Sequence, residues 1–238
     1  MGDDLMVVNA ARQSFGATHT ELTSADEHLI LFLARGYRSG EWDALAQEAV
    51  NNDWDHEAMK SLILGAMRRP QHWVPFAHPQ IQLHLKMPIF LARQYVKHEV
   101  GRAWSELSRR YKSDNLEFWF PRGWHNRPED IKQGSGELIQ LQESAFTQAH
   151  GTSAHAEFIY RNMLHTGVAP EEARIILPQN LMTTVLITGS LAFWARVYNQ
   201  RVDSHAQRAA QELATLIGDF IRPLFPVSWK ALTGERHD

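Results

Sequence analysis

The chain has 238 residues, with 24 Lys and Arg against 27 Asp and Glu, a formal net charge of -3 and 44% hydrophobic residues. This suits a globular protein with a sizeable core, and the balanced charge gives no whole-molecule field to draw in nucleic acid or an anionic membrane. The absence of cysteine excludes disulfides, iron–sulfur clusters, thiolate zinc sites and any cysteine nucleophile.

The acidic start Met1-Gly2-Asp3-Asp4 lacks the basic-then-apolar order of a secretion signal, and no apolar run approaches the roughly 20 residues that span a bilayer. A soluble, cytoplasmic protein is expected. Leu5 to Ala11 is a short apolar run compatible with a buried strand or a helix. Ser24 to Arg35 predicts a helix, with Ser24 and Glu27 spaced as a capping box and Leu29, Ile30, Leu33 and Ala34 forming one stripe. Two amphipathic stretches, Trp42 to Val50 and His56 to Met67, suggest a helical hairpin inserted at about 37–69.

Ile81, Leu83 and Leu85 alternate with polar residues, the period of a half-buried strand. Pro88 suits the first turn of a following helix, whose apolar positions run on to Val100. Arg122 to Gly136 reads as a loop. Glu137 to Thr147 and His155 to Leu164 read as two helices, the second stopped by Gly167. Pro170 opens a short helix that Pro178 ends, and the nearly all-apolar Leu181 to Tyr198 predicts a buried helix. Asp203 or Ser204 is expected to cap a last long helix through Ile221. The sum is one α+β domain over 1–238.

The densest polar stretch is Arg93 to Tyr111, RQYVKHEVGRAWSELSRRY. On a continuous helix, Arg93, Lys97 and Gly101 share one stripe and Gln94 and His98 the next, so a cation, an amide and an imidazole converge. Ser108, Arg109 and Arg110 add a hydroxyl and two guanidiniums whose forked donors match phosphate oxygens. Taken alone, the run reads more readily as a solvated basic face. Two distant arginines alter that balance: Arg174 lies within the apolar run ARIILP, and Arg201 follows an apolar segment. A cation beside buried apolar surface needs a carboxylate or an anionic ligand, and arginines with an amide and aromatic rings suit a nucleotide. His56-Glu57 and His98-Glu99 lack the second histidine of a zinc protease pattern, so no metal is expected, and no phosphate-binding glycine loop or dinucleotide fingerprint is present.

Several separated blocks, DLMVVNAARQSF, PFAH, QLHLKMPIFLARQYVKHEVGRAWSELSRRY, LEFWFP, EEARIILPQNL and NQRVDSHAQ, resemble the flavin-dependent thymidylate synthases in the family order. The resemblance implies a small mixed or antiparallel sheet packed by long helices, assembled as a homotetramer with active sites drawn from several subunits. It also implies C5 methylation of dUMP to dTMP, with methylenetetrahydrofolate as carbon donor, reduced FAD as hydride donor and NADPH recharging the flavin. A chain without cysteine fits this flavin route.

Carried over by position, Gln94, Glu106, Ser108, Arg109, Arg110, Arg174 and Arg201 are the expected nucleotide contacts, with Arg110 and the backbone around Ser108 on the phosphate and Arg174 and Arg201 on the phosphate or base, helping to polarise the uracil carbonyls. His72, Lys97, His98, Glu99, Val100, Arg196 and His205 are the expected flavin contacts. Lys97-His98-Glu99 stands where the family commonly has Arg-His-Arg, and the stretch from Glu99 to Ser108 is one residue longer than usual. Arg196 is the cation expected to offset Glu99. Within the same chemistry, methylation of UMP, release of a hydroxymethyl product or an inactive nucleotide-binding homologue are the alternatives.

Overall fold

The computed structural model describes residues 2–35, 51, 72–127 and 135–234; the expected hairpin at about 37–69 lies outside the described residues apart from Asn51. The chain packs as two compact units, each assembled from separated stretches. The first comprises Met1–Ile81, Gly189–Asn199 and Leu216–Asp238, and the second Gln82–Thr188 and Gln200–Thr215.

In the first unit, the ambiguous apolar run becomes helix α1 (Asp4–Arg12), whose Val7 and Val8 are fully buried. Helix α2 (Ser24–Arg35) forms over the expected residues, but its cap lies one residue earlier. Thr23 Oγ1 accepts the Asp26 N–H at 3.3 Å, and the Thr23 N–H donates back to Asp26 Oδ2 at 3.1 Å. The reciprocal pair is therefore Thr23 and Asp26 rather than Ser24 and Glu27. The buried Asp4 carboxylate accepts the Val227 and Ser228 N–H groups at 2.9 Å each. It thereby caps a helix that sequence reading missed, an anion meeting unpaired donors at a helix N-terminus.

The second unit holds most of a three-stranded sheet, β1 (Gln80–Pro88), β2 (Arg102–Glu106) and β3 (Met182–Ser190), in the order β1-β3-β2. Strand β1 appears where alternation predicts it, and Gln82 Nε2 reaches Thr188 Oγ1 of β3 at 3.0 Å. Strand β3 corrects the expected helix from Leu181 to Tyr198. Thr183, Thr184, Val185, Ile187 and Thr188 are β-branched, stiff at χ1 and suited to a pleated surface. Burial alternates from Thr183 to Ile187, so apolar density concealed a period of two. The helix begins only at Leu191.

Helix α3 (Ile89–Tyr95) follows Pro88 and ends five residues before the expected Val100. The two helices expected after the loop are one, α4 (Gln142–His165), starting later than Glu137. Its Gly151 faces open space, and a lone helical glycine costs only about 1 kcal/mol. Gly167, at φ +91°, supplies the expected stop. Helix α5 (Pro170–Ala173) passes into a 3-10 turn over Arg174–Ile176. Helix α6 (Leu191–Arg201) leads to the turn 202–207. Helix α7 (Arg208–Ile221) starts after Gln207, later than the expected cap at Asp203 or Ser204. Helix α8 (Pro226–Thr233) is the one capped by Asp4.

Candidate functional site

The C-terminus of α3 organises the second unit's polar cluster. A helix end leaves carbonyl oxygens without partners and carries partial negative charge, so cations gather there. Two arginines do so, one from a distant segment and one from the strand that follows. Arg201 Nη2 donates to the Gln94 carbonyl at 2.9 Å, while Arg102 donates to the Val96 carbonyl through Nη2 at 2.8 Å and to the His98 carbonyl through Nε at 2.7 Å. Gly101 at φ +85° turns the chain from α3 into β2, a conformation open to glycine at little cost. The expected helical stripe of Arg93, Lys97 and Gly101 therefore does not exist. Instead Lys97, Glu99 and Val100 are exposed on the turn while His98 is buried.

His98 is joined to Arg201, whose Nε donates to the imidazole Nε2 at 2.9 Å. An imidazole nitrogen accepts only when unprotonated, so this bond requires a neutral ring. The Arg201 guanidinium also lies 5.9 Å from the Tyr95 ring centroid, and its Nη1 makes no hydrogen bond among the described residues. Gln94 Nε2 contacts Gln207 Oε1 at 2.5 Å, so an amide pair flanks the cluster. Buried Tyr95 donates its hydroxyl to the Ala210 carbonyl at 3.1 Å. Burial pushes its phenol well above the ordinary tyrosine range, against the opposing charge of Arg201.

Folding thus brings together Gln94, His98 and Arg201 from the expected set. Glu106 accepts from Thr183 Oγ1 at 3.1 Å, joining the end of β2 to β3. Ser108 Oγ accepts the Arg110 N–H at 3.3 Å, and the exposed Arg110 guanidinium lies 5.1 Å from the Tyr111 ring centroid. Arg109 is committed to its own loop, donating to the carbonyls of Asp114 at 2.7 Å and of Lys112 and Asn115 at 3.4 Å each. Arg174 is exposed rather than set against a buried helix, and its Nε donates to the Glu171 carbonyl at 3.2 Å. His205 is exposed, bonded through its N–H and Nδ1 to Asp203 Oδ1 at 2.8 Å. Those bonds, backbone first, hold the Asp203 carboxyl below its ordinary range. Among the described residues, no hydrogen bond, ion pair or ring contact joins Arg110 or Arg174 to Arg201.

In the first unit, His72 stacks on Phe32 with centroids 5.6 Å apart, and Arg196 lies 5.9 Å from the Phe193 ring centroid.

The family model described as "Thymidylate synthase complementing protein" matches residues 1–227. The chain belongs to this family, the flavin-dependent thymidylate synthases. A flavin-dependent thymidylate synthase of Thermosipho melanesiensis is 29% identical over 233 residues, covering 97% of this chain and 86% of the relative. One from Thermus thermophilus is 29% identical over 231 residues, covering 97% and 72%. Among solved structures, the UMP/dUMP methylase PolB of Streptomyces cacaoi, bound with 5-Br dUMP, superposes with a TM-score of 0.72 at 22% identity, covering 98% of this chain and 91% of that one. The fold is shared across that distance.

As a synthase of this family, the chain gathers its polar cluster partly from residues that sequence reasoning passed over. Arg102, Tyr95 and Gln207 are each bonded into it. Arg102 had a legible signal, since an arginine just after a glycine at a helix end is placed to reach back to the last carbonyls.

Proposed function

We infer that the chain is a flavin-dependent thymidylate synthase that methylates dUMP at C5 to give dTMP. Methylenetetrahydrofolate is the carbon donor, reduced FAD the hydride donor and NADPH the source that recharges the flavin. The observation that carries this reading is the half-buried Arg201 guanidinium. It is held by His98 and the end of α3 while its Nη1 remains available to an oxygen-rich ligand. A fixed cation of that kind suits a uracil carbonyl or a phosphate oxygen and needs no reorganisation when the ligand arrives.

In this reading Gln94, Glu106, Ser108 and Arg110 bind the nucleotide, with Arg110 on its phosphate. Arg201 and Arg174 polarise the uracil carbonyls, which makes C5 a better carbon nucleophile. Arg109 shapes the Ser108–Asn115 loop. Lys97, His98, Glu99, Val100 and His205 hold the flavin. The donor set fits such a group, since exposed Lys97 and the Arg201 cation complement phosphate oxygens and a reduced ring. What the bound flavin supplies is the hydride. Arg110 and Arg174 meet the Arg201 cluster through neighbouring copies of a homotetramer. Exposed apolar residues of the second unit, Phe158 at 62%, Leu141 at 73% and Ile175 at 78%, support such burial.

The test is the absorbance spectrum of the purified protein before and after dUMP, followed by turnover of dUMP and UMP side by side with the product weighed by mass spectrometry. A flavin band perturbed by dUMP and formation of dTMP are expected. A colourless protein that binds neither nucleotide would overturn the reading.

A further inference from the structure

Three backbone carbonyls at and beyond the end of α3 are held by two guanidiniums. Arg201 donates to that of Gln94, while Arg102 donates to those of Val96 and His98. The Arg102 fork thus spans the ends of the three-residue stretch whose middle member is exposed Lys97 and whose last carries the buried imidazole. Its guanidinium also lies 5.1 Å from the Trp104 ring centroid, which restricts the side chain from the strand side. The fork thereby braces the turn that carries the imidazole. Gly101 at φ +85° tolerates many backbone conformations, so bonds to the neighbouring carbonyls restrain the turn.

We propose that Arg102 is a positioning residue of the site: it locks the turn 96–101 so that the His98 imidazole presents an unprotonated Nε2 to Arg201. The chain therefore places a structural cation inside the turn, bonded to backbone, while the residues on its rim face solvent. Without the fork, the Val96 and His98 carbonyls are released to water, the glycine turn relaxes and Arg201 loses its imidazole partner while keeping the Gln94 carbonyl. A lysine offers three donors on a flexible stem and reaches one carbonyl at a time, so it restores part of the order. The effect on ligand affinity rests on the nucleotide reading above.

The experiment is nitrogen-15 NMR of the histidine-labelled full chain, with the His98 signals assigned by their loss in His98→Gln. The wild type should show an unprotonated, hydrogen-bonded Nε2. Arg102→Ala should shift that signal toward the average of two tautomers, and Arg102→Lys should recover part of the difference. Ser153→Ala, which removes a hydroxyl bonded to Asn180 elsewhere in the same unit, should leave the His98 signal in place and so separates positioning from general loosening. Nucleotide affinity measured by calorimetry should fall about tenfold in Arg102→Ala, the loss expected of a displaced charge-assisted contact. An unchanged His98 signal in Arg102→Ala, or an equal shift in Ser153→Ala, overturns the proposal. If Arg102→Ala does not fold, a wild-type signal in Arg102→Lys overturns it instead. A wild type that binds no dUMP refutes the substrate reading while the tautomer measurement still decides the role of Arg102.

Discussion

Arg201 Nε stands 2.9 Å from His98 Nε2, a bond that joins α6 to the turn after α3 across 103 positions of sequence. The same guanidinium reaches the Gln94 carbonyl at 2.9 Å, so one planar group serves an aromatic nitrogen and a helix end. An ammonium has no rigid planar fork to hold both in one fixed geometry. Arg201→Lys should therefore keep the charge and lose the geometry, with dUMP affinity falling about 10- to 100-fold by calorimetry, the equivalent of roughly 1.5 to 3 kcal/mol. Affinity equal to wild type in Arg201→Lys would mean that charge alone is used there.

Tyr95 lies beneath this cation, its ring 5.9 Å from the guanidinium carbon and its hydroxyl on the Ala210 carbonyl of α7. Because burial raises its phenol pKa, the group stays a neutral donor throughout the ordinary pH range. Tyr95→Phe retains the ring and removes the bond, so stability measured by urea unfolding should drop by about 1 kcal/mol. The loss should be independent of pH between about 5 and 9, since neither the free nor the folded phenol ionises there. A loss confined to the alkaline end would show that the phenol titrates despite its burial.

What the sequence disclosed followed from local periodicity. Ile81, Leu83 and Leu85 announced β1 because only one strand face is buried, and Ser24 to Arg35 announced α2 because its stripe repeats at helical spacing. Leu181 to Tyr198 misled because Leu186, Leu191 and Ala192 raised its apolar density and hid the alternation, whereas its β-branched run carried the correct signal. The turn after α3 was concealed for another reason. The carbonyls of the helix end and the turn are met by Arg201, far away in sequence, and by Arg102, which reaches back only once the helix has ended. The family blocks implied Gln94 and Arg201 as nucleotide contacts and His98 as a flavin contact, but the contact of His98 with Arg201 depends on tertiary packing that no window of sequence contains.

Asp26 provides a test of a different part of the molecule. Its carboxylate is fully buried and accepts from Arg12 Nη2 at 2.8 Å, from Thr23 Oγ1 at 2.7 Å and from the Thr23 N–H at 3.1 Å, with His19 Nδ1 at 2.8 Å. Burial acts to raise its pKa, but the hydrogen bonds from Thr23, Arg12 and His19 outweigh it and hold the group well below the usual carboxylate range. The folded value is thus lower than the unfolded one, so the stabilisation is present in full above the unfolded carboxylate pKa, near ~3.9, and is lost as the pH falls through the lower folded value. Asp26→Asn leaves Arg12 without its anion and replaces an acceptor by an amide donor. Stability near neutral pH should fall by about 3 kcal/mol, the scale for breaking a buried charge pair. Urea unfolding of both proteins from about pH 7 down to about pH 3 should show the wild-type advantage constant at first and narrowing below the unfolded carboxylate pKa. An advantage that instead widened on acidification would mean that the carboxyl is held in its protonated form, and the hydrogen-bond assignment around it would have to be reversed.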